Sequence, residues 1–145
     1  MAEITSLSTT DASNTARFPE GMAPSAVNDA ARALEGMLGR AFKDTIDGAL
    51  TTAGTSTAYT CTLNRQESAW YTGLQFTVKW HTASGATPTI NPTGSGALGA
   101  KSLYWPSGTQ VTTNDLPSGA VSKLYYDGTN VQVLTTTARV GAASD

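Results

Sequence analysis

The sequence has little of three things that chemistry usually needs. A single cysteine, Cys61, excludes an intrachain disulfide, so the fold has to hold on packing and hydrogen bonds, as suits synthesis in a reducing cytoplasm. A single histidine, His81, has no cysteine or second histidine at metal-ligand spacing, so no metal and no cofactor are expected. Charged residues are only 14% of the chain, against about 25% in an average protein. Lys and Arg are scattered, and the net charge is −2. No basic stripe exists to neutralise a phosphate backbone, which argues against nucleic acid as a partner. No apolar run approaches the roughly 20 residues that cross a bilayer, and Met1 to Thr10 carry neither a basic nor an apolar leader segment. A soluble protein without membrane insertion is the expectation.

What is abundant is uncharged polarity. Ser and Thr make up about a quarter of the residues, and with 14 glycines they favour strands and turns. At 145 residues there is room for one hydrophobic core. Three segments follow from the patterning: an arm and helix over residues 1–46, an antiparallel β-module over 47–137, and a tail over 138–145. The fold class expected is mainly β with one N-terminal helix, a small antiparallel sandwich or barrel preceded by an extended arm.

The helix is predicted over residues 25 to about 44. Pro24 suits a first turn, Ser25 can cap an exposed amide, and no proline follows until Pro88. Val27, Ala31, Leu34, Leu38 and Ala41 recur at spacings of four and three, forming one apolar stripe. Gly36 and Gly39 each cost about 1 kcal/mol relative to Ala and leave the helix weak on its own. The stripe can cover a neighbouring helix or lie on the chain's own β-module, and spacing alone favours the second.

Beyond residue 48 the pattern changes to alternation. Tyr59, Cys61 and Leu63 share one face, as do Leu74, Phe76, Val78 and Trp80. Residues 87–92, 101–105, 121–126 and 130–134 read as further strands, with the prolines limiting the first to an edge or ending it. Asp127-Gly128-Thr129 marks a tight hairpin. Six or seven short strands result.

No catalytic set emerges, and the chain reads as a non-enzyme. His81 lies on the polar face of its strand with nothing coupled to it. Glu67, Asp115 and Asp127 are the acidic residues of the strand region, but no spacing pairs two of them as a glycosidase would require. Gly94 to Gly99 lacks the Lys-Ser/Thr pair and helix of a phosphate loop. Aromatic rings offer flat platforms for sugars, and alternation leaves Trp70, Tyr71 and Trp105, at loop ends, as candidates for glycan contact.

Two segments resemble a known group. Phe18-Pro19-Glu20-Gly21-Met22-Ala23-Pro24-Ser25, leading into the helix, resembles a motif near the start of tail-fibre and related virion proteins of tailed bacteriophages. Residues 54–135 are similar to a β-module of the same proteins. The similarity lies in Tyr71-Thr72-Gly73-Leu74, in Gly96 to Lys101, in Asp115-Leu116-Pro117-Ser118-Gly119, and in Tyr126-Asp127-Gly128-Thr129-Asn130. The resemblance implies a virion component, usually a homotrimer, made in the host bacterial cytoplasm. Phe18, Pro19, Met22 and the stripe would then anchor it to other virion proteins of tail, collar or head. It brings no catalytic residues. With one module and no long shaft or tip, the expected role is a short tail fibre or fibre-anchoring adaptor. The alternatives are a head-surface fibre or decoration protein, and a module that recognises host surface glycan.

Overall fold

The computed structural model describes residues 3–136, so the tail expected over 138–145 lies outside the described residues. Helix α1 spans Pro24–Thr45. Eight strands follow: β1 Leu50–Thr51, β2 Ala53–Gly54, β3 Ala58–Thr62, β4 Gln75–Lys79, β5 Thr89–Thr93, β6 Lys101–Tyr104, β7 Val121–Tyr126 and β8 Val131–Thr136. The mainly β fold with one helix is therefore the architecture of the protein.

Pro24 occupies the first turn of α1 as expected, but Ser25 does not cap it. Ala23 stands at the N-cap without a side-chain bond. The helix closes with the amides of Ile46 and Asp47 both donating to the Phe42 carbonyl. The preceding arm is not extended. It coils through two short 3-10 turns, Ile4–Ser6 and Asp11–Ser13, and Asn14 ties its loop by accepting from the Ser8 amide and donating to the Ser8 carbonyl.

The strands form one sheet in the order β1-β4-β7-β8-β6-β5-β3-β2. β1 and β2 are almost adjacent in sequence yet lie at opposite edges, so residues 50–54 span the gap and nearly close the sheet into a barrel. Thr52 sits at that seam: its amide donates to the Lys79 carbonyl, and its hydroxyl lies 2.9 Å from Nδ1 of His81. Nε2 of His81 lies 3.3 Å from the Gly54 carbonyl, so the histidine expected on an idle polar face fastens the seam.

The sheet is mixed rather than purely antiparallel. β1–β4, β3–β5 and β6–β8 pair in parallel, and the other four pairings are antiparallel. β5 is internal rather than an edge strand. Its proline is accommodated because pairing with β6 stops at Ile90, and the Pro92 carbonyl instead accepts from the Leu98 amide. Alternation places Tyr59, Cys61, Phe76, Val78, Ile90, Leu103, Leu124, Val131 and Val133 in the barrel interior, with Trp80 fully buried. The Trp80 indole N–H donates to the Ser122 hydroxyl at 2.8 Å, which satisfies the one polar group that this large side chain takes inside.

Strand directions define two ends. β3 and β5 finish, and β4, β6 and β8 start, at the end where α1 arrives. Residues 81–84, 105–109 and 114–119 form the loops of the opposite end.

Candidate functional site

Helix α1 meets the barrel through a narrow face. Met37 and Asp44 are buried, and Arg40 between them is half-buried. Seven residues apart, Met37 and Asp44 stand two turns apart on one side of the helix. Asp44 is fully enclosed. Its carboxylate accepts the Asn64 amide and side-chain N–H at 2.8 Å each, and the Arg65 amide and Nε–H at 3.0 Å each. Arg65 is itself buried, and its remaining N–H groups donate to the Tyr71 hydroxyl and the Gln75 carbonyl. Thr77 on β4 donates its hydroxyl to the Thr45 carbonyl at the helix end, where carbonyls lack intrahelical partners.

The network continues outward. Tyr71 donates to Oε1 of Glu67 at 3.4 Å. Burial raises the Glu67 carboxyl above its ordinary range; Arg65 pulls it back, while Glu3 and Asp44 push it further up. Burial likewise raises the Tyr71 hydroxyl. The Cys61 thiol is pushed to about 12, first by burial and then by Asp44, so it is an inert core side chain. Glu3 in the arm, only 4% exposed, receives Arg40 through Nε at 3.0 Å and a second guanidinium nitrogen at 3.0 Å.

The apolar stripe read from the sequence lies about a quarter-turn away from this docking face. It does not pack on the barrel as spacing favoured. Val27 is 41% exposed and Leu38 38%, while Ala31, Leu34 and Ala41 are half-buried. Phe42 at 49% and Ile46 at 75% extend the stripe one step at a time at i+4, and the sequence reading stopped short of both. Of the arm residues assigned to anchoring, Phe18 and Pro19 are exposed and Met22 is half-buried. Phe18, Leu7 and Leu34 line one shallow groove between arm and helix.

The three aromatics proposed for glycan contact do not come together. Trp70 lies over Tyr126 with ring centres 4.8 Å apart and donates to the Gly99 carbonyl, just before β6. Tyr71 belongs to the junction network. Trp105 directly follows β6, so the length of that strand, about 13 Å, separates it from Trp70. The Trp105 indole donates to Asp115, which also accepts the Thr112 amide. Trp105, Pro106, Ser107, Thr109 and Asp115 line an open cleft of about 470 Å³ at the end away from the helix.

The acidic residues are divided as well: Glu67 and Asp127 stand at the helix end and Asp115 at the other. Asp127 accepts the Thr129 and Asn130 amides, which hold its carboxyl below the ordinary range. Among the described residues no cluster of three or more His, Cys, Asp or Glu side chains could hold a metal, and no helix is long and apolar enough to cross a membrane. No protein-family model matches the chain, and no curated protein matches it.

Proposed function

We propose that the chain is a structural subunit of a tailed-bacteriophage particle, a short tail fibre or fibre-anchoring adaptor. In this reading it attaches through its arm and helix, presents its barrel outward, associates as a homotrimer and performs no catalysis. One observation carries the reading: α1 is fixed to the barrel by a face that leaves Val27, Leu38, Phe42 and Ile46 along its apolar side exposed. A helix of 22 residues with two internal glycines is marginal in water, and an apolar ridge running from Val27 to Ile46 favours burial against neighbouring copies or the particle. The segment Phe18 to Ser25, similar to the attachment motif of virion fibres, leads directly into that ridge.

Deleting residues 1–23 and measuring incorporation into particles tests the attachment. Incorporation should be lost, and undiminished incorporation would refute the anchor. Sedimentation of the purified chain tests the trimer, and a strict monomer at high concentration would refute it.

The cleft at the far end favours a second reading, recognition of a surface glycan. Its lining mixes apolar Trp105 and Pro106 with the hydroxyls of Ser107 and Thr109 and the Asp115 carboxylate, the mixture a sugar ring and its hydroxyls require. A glycan array probed with purified protein should then show binding that Trp105→Ala abolishes and Trp70→Ala spares. Silence across the array removes this reading.

A further inference from the structure

The cleft at the end away from the helix has two walls that the chain fixes by its own hydrogen bonds. One wall is the turn after β6. The Trp105 amide donates to the Thr109 carbonyl, the Gly108 amide donates back to the Trp105 carbonyl, and the Ser107 and Thr109 hydroxyls lie 3.3 Å apart. The other wall is the stretch 112–116. Buried Ser84 donates its hydroxyl to the Thr112 carbonyl and accepts the Leu116 amide, and the Asn114 amide donates to the Ser84 carbonyl. The Asp115 carboxylate bridges the walls, taking the Trp105 indole N–H at 3.2 Å and the Thr112 amide at 3.0 Å. Both donors meet Oδ2. Among the described residues none meets Oδ1, so that oxygen remains for a donor entering the cleft.

Charge at this end has one sign. Residues 81–84, 105–109 and 114–119 include no Lys or Arg, and the His81 ring is engaged by Thr52 and Gly54. The strand lysines are remote. Lys101 opens β6 at its other end, over the Tyr126 ring, while Lys123 on β7 and Lys79 on β4 stand two and three strands from β6, about 10 and 14 Å across the sheet.

We propose that this cleft takes an uncharged hexose unit, stacked on Trp105 with a hydroxyl donating to Oδ1 of Asp115, and rejects sugars that carry a carboxylate, sulfate or phosphate. The proposal rests on the glycan reading given above and narrows it. A half-buried indole bordered by hydroxyls matches the apolar face and polar rim of a pyranose ring. A sugar hydroxyl donating to a carboxylate makes a charge-assisted bond, stronger than one between neutral groups. An acidic sugar instead sets like charge against Asp115, with no cation in the cleft to offset it.

The test is a glycan array probed with the full chain. It carries glucose-, galactose- and mannose-ended glycans beside counterparts ended by sialic acid, glucuronic acid or a sulfated hexose. Neutral ends should bind at least about tenfold better than acidic ones. Raising sodium chloride from about 0.05 to about 0.5 M should narrow that ratio by relieving the repulsion, and leave the neutral signal unchanged. Asp115→Asn keeps an acceptor for Trp105 and Thr112 while removing the charge, and should bring the two classes within about threefold of each other.

A wild-type chain that binds acidic ends as well as neutral ones, or a preference that salt does not move, overturns the inference and leaves the glycan reading standing. So does an Asp115→Asn variant that keeps the near-ultraviolet signal of the folded barrel yet still rejects acidic ends. Silence across the whole array removes both.

Discussion

The barrel and the helix are held by opposite kinds of force. The barrel closes on itself around Trp80, Phe76, Leu74, Ile90 and Leu103, all essentially without solvent contact, and the hydrophobic effect acts on the whole of that interior. The helix is held at one end by the Asp44 carboxylate, received among Asn64 and Arg65, and by the Thr77 hydroxyl on its Thr45 carbonyl. An apolar interior tolerates small adjustments, whereas an enclosed ion pair requires both partners in place. The barrel is therefore expected to hold without the helix, whose attachment to it runs through a few polar atoms.

Removing the largest core side chain should break the barrel half most severely. Trp80→Ala deletes a fully buried ring that packs 4.8 Å from Tyr59 and donates to the Ser122 hydroxyl, and we expect a loss of about 4 kcal/mol in urea unfolding. Asp44→Ala tests the helix half. It leaves Arg65 enclosed without its counter-charge, at a cost of about 3 kcal/mol. Because the cost can be relieved by undocking, helical circular dichroism should fall while the near-ultraviolet signal of the barrel aromatics persists. If both signals vanish together, the division into an independent barrel and a dependent helix is wrong.

Gly94→Ala probes the seat between them. Its Cβ would meet the Glu67 backbone oxygen at 2.3 Å and nitrogen at 2.6 Å, atoms that cannot rotate away, and a loss of about 2 kcal/mol is expected. The smallest effect on stability should come from Leu38→Ser with Phe42→Ser. Both side chains stand outside the chain's own core, so the melting free energy should stay within about 0.5 kcal/mol while association of copies weakens. A large destabilisation of the single chain would mean that the stripe is covered internally after all.

Much of this was legible in the sequence, for reasons that differ by element. Proline at the first turn and a 3.6-residue pattern located α1 within a residue at each end, and strict alternation located β3, β4 and β7. β1 and β2 are two residues each, too short for any alternation to register, so the seam was missed. Parallel pairing was missed because partner choice is set by the whole sheet rather than by local pattern. The docking face was missed because Asp44 resembles an ordinary solvent-facing acid. One signal was available. A carboxylate in the last turn of a helix opposes the helix dipole, so it needs a compensating partner, and Arg65 lies just beyond the first strong strand. The candidate aromatics were found by position, but only Trp105 lines the far cleft. Trp70 and Tyr71 were already engaged in packing and hydrogen bonding.

Strand β8 is the last of the eight to be synthesised, yet it lies in the middle of the sheet, between β7 and β6. A ribosome making this chain therefore exposes seven strands before the one that joins them emerges. Until then the β4–β7 and β3–β5 pairs have no common neighbour, and their apolar faces stay open to chaperones and proteases. Nascent chains stalled before Val131 should be digested readily, and chains released past Thr136 should resist. Vectorial synthesis thus makes the barrel an all-or-nothing event near its own completion.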